Sequence, residues 1–137
     1  MSNNRLWNCK NPAQGDFKKV LCVSSAGLLR SPTIAWVLSN EPFNFNTRAV
    51  GSSFSFALTP IDDMFIEWAD IVVFVNSETA KEVEYRFDLT YKHVITLELP
   101  DVFKFRDPRL VEIAKKQLAE AFEEMDKQLS MQKRLDK

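Results

Sequence analysis

V-L-C-V-S-S-A-G-L-L-R-S-P-T-I-A-W-V-L, residues 20–38, decides how this chain folds. An apolar run breaks at small residues and resumes as a helical pattern opening on Arg-Ser-Pro. Val20 to Val23 read as a short buried strand and Ser24 to Leu29 as a turn. Ser31 is expected to cap a helix whose first residue is Pro32. A helix start offers unpaired N–H groups and the positive end of a dipole, and a tight preceding loop can aim more N–H groups at the same point. Arg30 adds a planar fork of donors that matches the edge of a phosphate. The stretch therefore has the layout of an anion cradle.

Working outward, strands and helices alternate. Phe45 to Val50 is expected to be a second strand, and a short helical segment begins at Leu58 and Pro60 and ends near Trp68. Ile71 to Val75 is an unbroken β-branched and aromatic run, as in a strand covered on both faces. Residues 77–87 form a polar helix pattern, and His93 to Leu99 a fourth strand. From Pro108, the positions Leu110, Ile113, Ala114, Leu118, Ala121, Phe122, Met125 and Leu129 recur at helical intervals. This order predicts an α/β fold, a three-layer sandwich with a central four-stranded parallel sheet and helices on both faces. One domain is expected over residues 1–137, with residues 1–17 as an N-terminal extension and 130–137 as a frayed tail.

The loop spacing resembles C-x5-R-[ST], the phosphate-binding loop of cysteine-dependent phosphatases, with Ser24 in the cysteine position. More broadly, the chain resembles the low-molecular-weight protein tyrosine phosphatase superfamily, and more closely its short bacterial and phage branch. The residues that carry the likeness are Val23, Ser24, Ser25, Leu29, Arg30, Ser31, Pro32 and Thr33 at the loop, and Trp68, Ala69 and Asp70 before a central strand. Leu97, Leu99, Pro100, Asp101, Phe103, Asp107, Pro108 and Leu110 complete it, so that it spans about residues 18–120. The resemblance implies that Ser24, Ser25, Ala26, Gly27, Leu28, Leu29, Arg30 and Ser31 surround a phosphate, mostly through backbone N–H groups. It implies that Asp101 is the general acid that protonates the leaving oxygen and then the base for water. The implied activity is phosphomonoester hydrolysis, with phosphotyrosine or another aryl phosphate as substrate, needing no cofactor.

Ser24 limits that chemistry. A cysteine thiol of pKa about 8.5 is lowered to about 3.5–7.5 in such a site, whereas an alcohol stays protonated without a dedicated base. The chain as written is expected to bind phosphate and turn it over very poorly. Two readings of Ser24 compete: an engineered cysteine-to-serine change that traps substrate, or the natural residue of a non-catalytic phosphate-binding protein. The presence of the remaining apparatus favours the first. Cys22 shares a strand face with Ser24 but sits about 6–7 Å further back, and is expected to be a core residue. An arsenate reductase on the same fold ranks third, since it would need further shuttle cysteines and none follows Cys22.

Other residues have plainer readings. Asp107, followed by Pro108, is expected to be a helix N-cap and not a second acid, and Asp70 to end a helix-to-strand connection. Ser31 has a capping role, and the resemblance adds donation to a nucleophile at position 24. Phe54, Phe56, Phe103 and Phe105 are candidates for the walls of an aryl-phosphate pocket or for the core. Lys104 and Arg106 either favour an acidic ligand or are solvated. The single histidine, His93, has no partner at ligand spacing, so no metal is expected. The chain also departs from the family: Ala49-Val50-Gly51 stands for its Ser-Ala-Gly, Ala26 and Gly27 replace a bracing asparagine, and Leu29 replaces a second loop cysteine.

Composition excludes some classes. Eighteen basic and nineteen acidic residues leave a net charge of −1, which argues against nucleic acid or an anionic membrane as partner and leaves anion recognition to a local site. Two cysteines without metal-ligand spacing fit a reducing compartment. With no signal-like or spanning apolar stretch, a cytoplasmic location is expected.

Overall fold

The computed structural model describes residues 18–24, 30–41, 43–52, 59–100 and 107–135. Its strands are β1 (Lys19–Ser24), β2 (Asn46–Gly51), β3 (Ile71–Phe74) and β4 (His93–Thr96). Its helices are α1 (Arg30–Ser39), α2 (Asp63–Trp68), α3 (Ser77–Arg86) and α4 (Pro108–Leu135). The strands form one parallel sheet in the order β2-β1-β3-β4. Lys19 pairs with Asn46 and Ser24 with Gly51, while Val20 to Val23 pair with Ile71 to Phe74 on the other side.

Both faces of the sheet are covered, which is why Val20 to Val23 of β1 and all of β3 are apolar instead of alternating. Side chains of successive strand residues point to opposite faces, and the core divides accordingly. Val20, Cys22, Ile71 and Val73 pack with Ile34, Ala35 and Leu38 of α1 and with Leu110, Ala114 and Leu118 of α4. Leu21, Val23, Val72 and Phe74 pack with Ile66 of α2 and with Ala80 and Val83 of α3. The four-stranded sheet and the helical layers agree with the expectation from sequence. Cys22 is fully buried in the first cluster, as a core residue.

Element ends depart from the sequence reading in informative ways. α1 begins at Arg30, so Ser31 lies inside the helix and is not its cap, and Pro32 is not its first residue. Proline is tolerated there because the first four N–H groups of a helix lack intrahelical acceptors in any case. The segment expected to start at Leu58 and Pro60 becomes helical only at Asp63. Asp62 caps it by accepting from the Phe65 amide at 3.0 Å, and Pro60 instead bridges to Gly51; Leu58 lies outside the described residues.

β4 ends at Thr96, short of Leu99, yet the amides of Leu97 and Leu99 still donate to the carbonyls of Phe74 and Val75 at 2.8 and 2.9 Å. On the outer edge, the Gln117 side chain of α4 accepts from the Glu98 amide and donates to its carbonyl, at 2.9 and 3.1 Å. A side-chain amide thus occupies the place of a fifth strand. The expected frayed tail is helical to Leu135; Met131 to Leu135 are all helix formers, with no glycine or proline to stop the pattern. Among the described residues, no helix is long and apolar enough to cross a membrane.

Candidate active site

Parallel sheets offer their ligand crevice beyond the carboxyl ends of the strands, at the point where chain order reverses. Here β1 is flanked by β2 on one side and β3 on the other, so the reversal falls at β1. Ser24 is the last residue of β1, and α1 begins six residues later. The stretch singled out in sequence therefore lies at the switch point of the sheet.

Ser24 is 4% exposed. Its side chain shares the face of Val20 and Cys22, the face on which α1 packs. The Ser24 and Ser31 hydroxyls are 2.8 Å apart, and either can donate. Ser31 also reaches the Val50 carbonyl at a longer 3.4 Å. A hydroxyl has one proton to give. When Ser31 directs it to Val50, Ser24 is the donor of the shorter bond; when Ser31 directs it to Ser24, an acceptor at position 24 is stabilised. The second arrangement is what a thiolate at that position needs. Ser31 is fully buried, so no water competes for it.

Arg30 opens α1 and is 8% exposed. Its Nη1 donates to the Leu99 carbonyl at 3.1 Å, across 69 residues of sequence. This ties the start of α1 to the chain leaving β4, two residues before Asp101. The helix has no acidic residue in its first turn, where one would offset the positive dipole end. Burying a guanidinium beside that end is costly unless donors are satisfied or an anion is present.

The structure brings the side chains of Ser24 and Ser31 together, and Arg30, next to Ser31 in the chain, reaches the Leu99 carbonyl. The remaining predicted members of the cradle, Ser25, Ala26, Gly27, Leu28 and Leu29, lie outside the described residues, as do Asp101, Lys104, Arg106 and the four candidate wall residues Phe54, Phe56, Phe103 and Phe105. Asp107 has the structural role expected of it. Its carboxylate accepts from the Arg109 amide at 2.9 Å and pairs with the Arg109 guanidinium at 3.0 Å. The side-chain bond from Arg109, followed by the bond from its amide, holds the Asp107 carboxyl below the ordinary carboxylate value. Asp70 sits at the opposite end of the sheet, where it accepts from the Lys19 amide at 3.0 Å. His93 is exposed at the start of β4.

Sequence reasoning missed one cluster. Ser52, just past β2 and 1% exposed, donates its amide to the Ser24 carbonyl at 2.8 Å. Its hydroxyl donates to Glu82 Oε2 at 3.2 Å, and its carbonyl accepts from Arg86 Nη2 at 2.9 Å. Glu82 and Arg86 stand four residues apart on α3, on one side of the helix. That spacing was visible in sequence, but on a polar helix it reads as an ordinary solvated pair.

No protein-family model matches the chain, and no curated protein matches it. Among solved structures, it is similar to the crystal structure of a YwlE mutant from Bacillus subtilis. The two are 21% identical, with 88% of this chain and 99% of that chain covered and a TM-score of 0.48.

Proposed function

We propose that this chain is a phosphomonoester hydrolase of the cysteine-dependent tyrosine phosphatase type, with Ser24 in the place of the nucleophile. Its substrate is phosphotyrosine or another aryl phosphate. The observation that carries the reading is the buried hydroxyl pair Ser24–Ser31, 2.8 Å apart at the switch point of the sheet, with Arg30 beside it. A strand end and a helix start that meet at one buried residue, with an arginine opening the helix, fit what covalent phosphoryl transfer requires, namely a nucleophile position and donors for the equatorial oxygens.

With cysteine at position 24, its thiolate attacks phosphorus and the bond from phosphorus to the leaving oxygen breaks. Arg30 and the loop amides hold the three remaining oxygens. Asp101 donates its proton to the leaving oxygen, then takes one from the water that hydrolyses the phosphocysteine. Ser31 donates to the sulfur and eases its departure. With serine at position 24, the nucleophile is an alcohol, which keeps its proton where a thiol in such a site would lose it. Binding then survives without appreciable turnover.

A second reading, a phosphate-binding protein that is naturally without turnover, is favoured by Ser24 itself. An assay of the chain and its Ser24→Cys variant separates the two, using p-nitrophenyl phosphate hydrolysis alongside titration with inorganic phosphate. Turnover by Ser24→Cys, slowed by Asp101→Ala in that background, is the expected result. Phosphate binding by both proteins with turnover by neither selects the second reading. Absence of phosphate binding in both overturns the two readings together.

A further inference from the structure

We propose that Arg86 and Glu82 of α3 are positioning residues for the anion cradle, acting through Ser52 on the carbonyl of Ser24. The inference rests on residues 24–31 being that cradle. Ser52 uses all three of its polar groups: its amide on β1, and its hydroxyl and carbonyl on α3. It is the junction at which a helix from one face of the sheet grips the carboxyl end of the central strand.

α3 is a firm support for that grip. Ala80 and Val83 anchor it in the core under Leu21 and Phe74, and Asn76 caps it by accepting from the Thr79 amide at 2.8 Å. Arg86 is at its last turn, where a cation also suits the negative dipole end. Its guanidinium is spent on a backbone carbonyl at a strand end, although water lies within reach of a side chain this long.

The consequence for the cradle follows from where Ser24 stands. Its carbonyl accepts from the Ser52 amide at 2.8 Å and its hydroxyl lies 2.8 Å from that of Ser31, so the backbone of the last β1 residue is held while its side chain is presented at the carboxyl end of the sheet. Groups that must meet an anion are effective only when held in place beforehand. Loss of the Arg86 contact releases Ser52 and then the Ser24 carbonyl, while Ser24, Arg30 and Ser31 keep their identities.

Inorganic phosphate titrated calorimetrically into the chain, Arg86→Ala, Arg86→Lys and Glu82→Ala tests this, with amide exchange of Ser52 followed in each. Arg86→Ala is expected to weaken phosphate binding about tenfold, the scale of one charge-assisted hydrogen bond, and to speed exchange of the Ser52 amide. Arg86→Lys, which keeps a donor for the Ser52 carbonyl, should recover much of the loss. Glu82→Ala, at an exposed position that leaves the core intact, should weaken binding about threefold.

Native affinity in Arg86→Ala overturns the inference and leaves the proposed function standing. Equal losses in Arg86→Ala and Arg86→Lys also overturn it, since the donor is then irrelevant. If Arg86→Ala does not fold, native affinity in Glu82→Ala is the result that overturns it. If the unmodified chain and its Ser24→Cys form both bind no phosphate, the proposed function fails first and takes the inference with it.

Discussion

Helices α2, α3 and α4 each start with a side chain folded back on the first turn, whereas α1 starts with a buried arginine. Asp62 accepts from Phe65, Asn76 from Thr79 and Asp107 from Arg109, each closing an orphan backbone donor. Those three starts are finished structurally and leave little for a ligand. At α1, the first turn has no acid, and Arg30 brings a positive charge to an already positive end. The difference separates helix starts closed by their own caps from one that opens on a buried cation, the start at which we propose an anion binds. Arg30 is also anchored across the sheet, through the Leu99 carbonyl.

The largest expected effect sharpens the contrast at α1. Ser24→Cys should convert a chain without appreciable p-nitrophenyl phosphate turnover into one that turns over, and Asp101→Ala in that background should slow it about 100-fold or more. Steady-state kinetics on the purified variants checks both.

Next, Arg30→Ala should abolish measurable phosphate binding and lower stability by about 1.5–3 kcal/mol, because it removes a charge-assisted bond to a buried carbonyl. Calorimetric titration and denaturant unfolding separate the two effects. Unaltered phosphate affinity in this variant would erase the distinction between α1 and the other helices.

A capped start should behave oppositely. Asn76→Ala is expected to cost about 1 kcal/mol of stability and to leave the affinity for phosphate within about twofold of native. A large loss of affinity would mean that the cap at α3 belongs to the site.

The smallest effect is the acid response of Asp107. Its folded carboxyl titrates below the unfolded value through its bonds from Arg109, so its stabilisation is complete above about pH 3.9. It is lost as pH falls through the lower folded value. Asp88, held low by the Thr90 hydroxyl and amide, acts in the same direction. Asp107→Asn should therefore be slightly less stable than the native chain at pH 6 and converge on it near pH 2, as read from thermal unfolding at each pH.

Much of the fold was legible in the sequence, and the reason differs by element. β1 and β3 were clear because strands buried on both faces need unbroken apolar runs, and α4 because Leu110, Ala114 and Leu118 repeat at helical spacing. The end of β4 was less clear, since Leu97 and Leu99 are buried like strand residues and still bond to Phe74 and Val75, although the strand itself ends at Thr96. The start of α1 was misplaced because Ser31 and Pro32 carry the local signature of a cap and a first helical residue. Burial on the sheet, with bonds to Ser24 and Val50, overrode that signature.

At the candidate site, the sequence by itself determined the chemical inventory: an apolar strand that ends in serine, a stretch beginning Ser-Ala-Gly after it, and an arginine at the start of a helix. Those are properties of neighbouring residues, and neighbours in sequence share a local geometry. Only the tertiary structure decided that β1 lies between β2 and β3, that Leu99 meets Arg30 across 69 residues, and that Glu82 and Arg86 hold Ser52 against Ser24. Such contacts join segments that no local spacing relates. They arise from burying both faces of one sheet, which makes polar groups at its carboxyl end find their partners inside the protein.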